Sequence, residues 1–382
     1  MRPMRLRTAG TLLASALGIV PTLAFAGPIG GFAQTNLVSN IPGLASVMDP
    51  DLQNPWGIAF TPTSPFWISD NGSGLSTLYN GQGVKQGLIE TIPDANGTPG
   101  AGTPTGAIFN PNAAAGPNQA FGGDNFIFAT EDGVIAGRRG VLDPNAEILF
   151  NNASASAVYK GLAVATIGSS TYLYAANFRS GNIDIFGGGP ALSSEAFTKP
   201  ASIPADYAPF NIQALVSGGV TKLYVTYALQ DAAKHDDVAG AGHGYVAVFD
   251  VNGNFLQLLA SAGALNSPWG LAIAPAGFGP LGGDLLVGNF GDGVINAFDL
   301  AGAFLGTIAD AHGLLVNGGL WGLAFGNGGN LFNPNALYLT VGLNDEEDGL
   351  FARINFVPEP PTLALFVGGI ASLMWFARRK PA

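Results

Sequence analysis

The chain has 382 residues, no cysteine, 56 glycines and only 11% charged residues, with a net charge of −11 and a mean hydropathy of +0.30. The missing thiols exclude disulfides, thiolate metal sites and cysteine nucleophiles. The negative charge argues against nucleic-acid binding, which needs Lys and Arg to replace phosphate counterions. Low charge with abundant glycine argues against a helical bundle or a coiled coil.

At the N-terminus, Arg2, Arg5 and Arg7 precede an apolar run at 11–24, and Ala24-Phe25-Ala26 fits the small-x-small cleavage rule. Residues 1–26 read as an export signal handled by Sec-type machinery, with Gly27 as the first residue of the mature chain. An uncleaved anchor is the alternative, although the run is short for a membrane span.

The body, 27–356, reads as a repeat. An apolar strand ending in a polar, Gly-containing turn recurs as "FWISDNGSG" from Phe66, "FIFATEDG" from Phe126, "LYAANFRSG" from Leu173, "LYVTYALQDA" from Leu223, "LLVGNFGDG" from Leu285 and "LYLTVGLNDEEDG" from Leu337. The starts are 47 to 62 residues apart, the period of a β-propeller blade. A second element precedes several copies: "NPWGIAF" at Asn54, "YKGLAVA" at Tyr159, "SPWGLAIAP" at Ser267 and "GLWGLAFG" at Gly319. A third follows two of them, as in "VAVFDVNGNFLQLL" at Val246, where Asp250-Val251-Asn252-Gly253 carries turn chemistry. Four strands per unit and six units give an all-β, six-bladed propeller. A ring must close or leave an open sheet edge, so 33–40 is expected to pair with the last strand, 350–356. A β-sandwich or β-helix would not show this period. Trp56, Trp269 and Trp321 recur at one repeat position and are expected to pack between blades; the alternative is a stacking platform for sugars.

Two groups of residues could carry chemistry. The first interrupts the fourth unit in "LQDAAKHDDVAGAGHGYVAVFD". Asp231, Lys234, His235, Asp236 and Asp237 place both charge signs and an imidazole within seven positions, enough for acid–base work or for holding a divalent cation. The bland alternative is a solvated acidic loop. The second group follows the middle strands of five units: Asp70, Asn71, Glu131, Asp132, Asn177, Asn289 and Asn344. Strand ends converge on a propeller's channel mouth, and oxygen ligands from separate blades suit Ca²⁺. Six-bladed lactonases of the gluconolactonase type hold a metal in this way, a fold analogy only. Ordinary turn residues are again the alternative. "LNDEEDG" lacks the alternating Asp spacing of an EF-hand loop. No G-x-S-x-G, Walker A or H-E-x-x-H motif occurs.

The chain ends in Val357-Pro358-Glu359-Pro360, an uncharged apolar run at 362–377, and Arg378, Arg379 and Lys380. A helix of roughly 24 Å over that run falls slightly short of a typical hydrocarbon core of about 30 Å, and the basic cluster favours the cytoplasmic side. A plain membrane anchor is the bland reading. The three-part order resembles the PEP-CTERM sorting signal of Gram-negative bacteria. That resemblance implies recognition by an exosortase, a membrane-embedded cysteine protease-transpeptidase, an inner-membrane precursor with its body in the periplasm, and delivery to the cell surface or an exopolysaccharide matrix. The strings "NPWGIAF…FWISDNGSGLSTLYNG" and "QDAAKHDDVAGAGHGYVAVFD" further resemble an uncharacterised family of exported bacterial propeller proteins, from which no catalytic residues carry over. The domains expected are thus 1–26, 27–356 and 357–382. Two functions stay open: a non-enzymatic surface or matrix protein binding polysaccharide or a protein partner, and a Ca²⁺-type metal-dependent enzyme, lactonase-like or lyase-like, acting at the channel mouth.

Overall fold

A computed structural model describes residues 27–113, 120–329 and 331–358. The expectations for Ala24, Ala26, Glu359, Pro360, the run at 362–377 and the Arg378–Lys380 cluster lie outside the described residues. Among the described residues, no helix is long and apolar enough to cross a membrane.

Short β-branched and aromatic runs punctuated by glycine form six antiparallel sheets arranged as blades. Blade I comprises Pro55–Ala59, Phe66–Asp70, Leu75–Tyr79 and Lys85–Thr91. Blade II comprises Pro104–Phe109, Phe126–Thr130, Val134–Arg138 and Glu147–Asn151. Blade III has Tyr159–Ile167, Ser170–Asn177 and Asn182–Gly187. Blade IV runs Tyr207–Ser217, Val220–Leu229, Tyr245–Phe249 and Phe255–Ser261. Blade V runs Pro268–Ile273, Leu285–Asn289, Ile295–Phe298 and Phe304–Asp310. Blade VI joins Leu320–Phe325, Ala336–Gly342 and Asp348–Phe356 to Phe32–Ser39 from the other end of the body.

That last pairing closes the ring as the sequence predicts. Ala33 lies opposite Asn355, Thr35 opposite Arg353 and Ser39 opposite Leu350 in an antiparallel register. Pro28–Ile29 adds in parallel to the outer strand of blade V, so the N-terminal segment grips two blades. The predicted turn at Asp250 also forms: Asp250 Oδ1 accepts the N–H groups of Asn252 and Asn254, and Gly253 takes φ 81°. The expectation of four strands in every unit is corrected for blade III, which has three. Its Gly-, Pro- and Ser-rich stretch at 188–206 cannot supply a regular ladder. Instead that stretch delivers Phe197 and Ile203 into the wedge between blades III and IV.

The core is divided accordingly. Six apolar clusters fill the six wedges between neighbouring blades, and a seventh lies on the axis. The first strand of each blade is innermost, touching its counterparts on both sides. Glycine makes that approach possible. A Cβ at Gly106 would sit 2.4 Å from Leu162 N, and one at Gly322 would sit 2.5 Å from Trp56 O. Gly57, Gly161 and Gly270 pack on the next blade in the same way. Blade IV carries Asn211 at this position, and its Nδ2 donates to Trp269 O at 2.8 Å. The Gly of the "WG" element therefore sets how tightly the ring draws in.

Candidate functional site

The residues just before these glycines form an axial layer. They are Trp56, Thr105, Lys160, Phe210, Trp269 and Trp321 in blades I to VI. Trp56 stacks on Trp321 with ring centroids 3.4 Å apart, and Trp269 meets both edge-on at 5.9 and 5.7 Å. Phe178, Phe210 and Phe290 complete the cluster. All three indoles are buried, so they plug the channel and offer no exposed ring face. Two of their N–H groups are satisfied: Trp321 Nε1 donates to Asn54 Oδ1 at 3.1 Å and Trp269 Nε1 to Lys160 O at 3.0 Å. Trp56 Nε1 has no protein partner among the described residues.

The plug divides the channel. On one side, the far ends of the innermost strands enclose a cavity of about 440 Å³ lined by glycine and apolar residues such as Ile58, Ile108, Val164 and Leu323. On the other, where first strands begin and second strands end, polar groups from five blades converge. Lys160, only 3% exposed, sits with Nζ 5.2 Å above the Trp56 ring. The ammonium donates to Glu131 Oε1 and, at 3.0 Å, to Asp236 Oδ1. His235 Nδ1 lies 2.9 Å from the same Asp236 oxygen. An ionised carboxylate only accepts, so Nδ1 carries a hydrogen. Glu131 Oε2 accepts from Asn71 Nδ2 at 2.8 Å, and Asn54 Nδ2 reaches both Asn71 Oδ1 and Glu346 Oε2, at 3.3 and 2.7 Å.

The electrostatics follow from this geometry. Burial opposes charge on Lys160, but the carboxylates of Glu131 and Asp236 outweigh it and hold its pKa above the usual lysine value. Burial pushes Asp236 up, while Lys160 and the His235 hydrogen bond bring it below the usual carboxylate range. Glu346 is pushed up to about 7, chiefly by burial, with repulsion from Glu131 and Asp236 working against Asn54 and Lys160.

The structure thus brings together Asn71 and Glu131 from one predicted group and His235 and Asp236 from the other. Glu131, His235 and Asp236 each offer a ligand atom, all within 4.8 Å of one another. Apart from Asp237, the remaining candidates are placed elsewhere. Asp70 is fully buried inside blade I, where Oδ2 accepts Thr77 N. Asp132 accepts from Thr103, Asn177 donates to Asp184, Asn289 donates to Ala264 O, and Asn344 donates to Asp348. Asp231 caps the insertion by accepting His235 N, and Lys234 stands exposed at its tip; Asp237 bridges to Gln230 through its backbone, while its carboxyl lies within electrostatic reach of Lys160, with Oδ2 buried and without a partner among the described residues. Sequence reasoning missed Lys160, Asn54 and Glu346. Lys160 had a signal: it stands where three other blades carry tryptophan, a charge in an aromatic series.

Fold and site together define a six-bladed β-propeller with a multi-blade polar cluster at one channel mouth. No protein-family model matches the chain. It is 33% identical over 356 residues to an uncharacterised protein of Acanthamoeba polyphaga mimivirus, covering 89% of this chain and 84% of that protein. A second uncharacterised mimivirus protein is 33% identical over 334 residues, covering 83% of this chain and 84% of its own length. The chain belongs to this family. A structural-genomics protein of unknown function from Bacteroides thetaiotaomicron superposes with a TM-score of 0.50 at 11% identity, covering 85% of this chain and 76% of that one, a likeness of fold alone.

Proposed function

We propose that the protein is an exported, surface-sorted propeller that binds a neutral, hydroxyl-rich ligand such as a polysaccharide segment at its polar channel mouth. The observation that carries this reading is the convergence of donors and acceptors from five blades over a closed aromatic floor. Lys160, Asn54 and Asn71 donate there; Glu131, Asp236 and Glu346 accept. A sugar hydroxyl both donates and accepts, and so fits an alternating set of this kind. Calorimetric titration of the purified full chain with cellotriose, maltotriose, laminaritriose and xylotriose tests the reading. Saturable binding to one of them that Glu131→Gln weakens supports it; no binding to any member overturns it.

A second reading, a metal-dependent enzyme of lactonase or lyase type, draws on the Glu131–His235–Asp236 grouping. Lys160 already pairs with both carboxylates, and a Ca²⁺-class ion would have to displace its ammonium. Metal analysis of the purified protein decides between them: a stoichiometric divalent ion favours the enzyme, and its absence sinks it.

Delivery to the surface rests on the terminal segments. The Val357–Pro360 motif and basic end support exosortase handling, with export through the 1–26 signal. Replacing Pro358, Glu359 and Pro360 by alanine is expected to trap the protein in the inner membrane. Unchanged surface delivery would reduce the tail to a plain anchor.

A further inference from the structure

The turn after the second strand of each blade faces the polar mouth, and five of the six can be compared directly. Blades I, II, III and V each make it with a single left-handed glycine: Gly74 (φ 70°), Gly133 (φ 79°), Gly181 (φ 76°) and Gly293 (φ 72°). Glycine adopts this conformation without steric cost. Blade VI makes it differently. Asn344, Asp345 and Glu346 take φ 52°, 54° and 69° in succession, and none is glycine. Asn and Asp tolerate the left-handed region, but a left-handed Glu costs roughly 1–2 kcal/mol, and such strain persists where surrounding structure enforces it. A turn here does not require it, because four sister blades avoid it.

The strained path has one clear product. It carries the Glu346 side chain inward, where Oε2 accepts Asn54 Nδ2 at 2.7 Å. Asn54 is itself left-handed, at φ 43°, and is held by Trp321 Nε1. Glu346 lies within the electrostatic reach of Glu131, Lys160 and Asp236, which come from blades II, III and IV. The neighbouring Asp345 and Glu347 stay exposed on the outside of the turn. Left-handed backbone in two separate chain segments, at Asn54 and at 344–346, thus meets in one hydrogen bond at the mouth.

We infer that the left-handed turn Asn344–Glu346 is built to present Glu346 to the ligand of the channel mouth, as a hydrogen-bonding contact to a ligand hydroxyl. The inference rests on the ligand-binding reading above and names a contact residue for it. Glu346 adds a carboxyl to the polar mouth from the blade VI side. Its role is that of a binding residue, held in place by Asn54.

The test uses the full chain and whichever of the four trisaccharides the wild type binds. Glu346→Ala should weaken binding about tenfold, the loss of one ligand hydrogen bond of about 1.4 kcal/mol. Glu346→Gln keeps the shape and hydrogen-bonding capacity and should stay within about threefold of wild type, a rescue that a merely structural role would not require. Wild-type affinity in Glu346→Ala would overturn the inference and leave the ligand reading standing. Absence of wild-type binding to every trisaccharide would sink both readings together.

Discussion

Lys160 is the residue on which the polar mouth turns. Its ammonium is buried, rests over Trp56 and joins two blades through Glu131 and Asp236. Breaking a buried pair from one side leaves the other charge uncompensated, which costs more than the pair contributes. Glu131 is 14% exposed and suffers this directly, whereas Asp236 at 65% recovers water. Lys160→Met is therefore expected to lower stability by about 2–3 kcal/mol at neutral pH, read from urea unfolding. Glu131→Gln in the same background should return much of that loss, because the orphaned charge is gone. An unchanged midpoint in Lys160→Met would show that the mouth is open to water. The residue was visible in "YKGLAVA" but not its role: three tryptophans had to be seen facing one another before a lysine in their row acquired meaning.

At the level of strands, the innermost ring tests the packing account. Gly106→Ala and Gly322→Ala each force a methyl group to within about 2.5 Å of a neighbouring backbone, and neither backbone can yield without opening the ring. Both should cost several kcal/mol or prevent folding. Gly87→Ala, on an outer strand where the added methyl group would meet nothing within 4 Å, should be neutral or slightly stabilising. Thermal melting of the three variants orders them; equal Tm values would refute close approach as the reason for the "WG" motif. The blade repeat was legible because alternating apolar runs and glycine turns are local signals with a fixed period. The closing strand was legible for a topological reason, since an open ring leaves a sheet edge. The missing strand of blade III was not, because an irregular stretch that buries Phe197 and Ile203 looks in sequence like a poor strand. The mouth was half legible: turn position marked Asn71 and Glu131, and charge density marked His235 and Asp236. Their junction depends on blade order around the axis. Asn54 and Glu346 depend on left-handed backbone, which Asn and Asp tolerate but which their presence alone does not fix.

The molecule as a whole carries a pH dependence from carboxyls buried beside arginines. Glu90, at 0% side-chain exposure, is pushed up to about 7 by burial despite Arg138, and Asp124 up to about 6 despite Arg139. One oxygen of each has no partner among the described residues. Folded-state values above the unfolded ones mean that the folded chain holds protons the unfolded chain has released. That stabilisation is complete below the unfolded values and is lost as pH rises through 6 to 7. Tm should accordingly be higher at about pH 5 than at about pH 8, and Glu90→Gln should flatten the difference; a Tm that rises with pH across this window would contradict it. Ring closure bears on the same scale. The strand Asp348–Phe356 is flanked by hydrogen-bonded neighbours on both sides, and Val357 N donates to Gly31 O at 2.7 Å just beyond its end. A pull on the chain past residue 358 runs along that strand, so both ladders resist together in shear; they cannot be peeled one bond at a time. The seam that closes the ring is also the point where a mechanical load would enter, and it is loaded in its strongest direction.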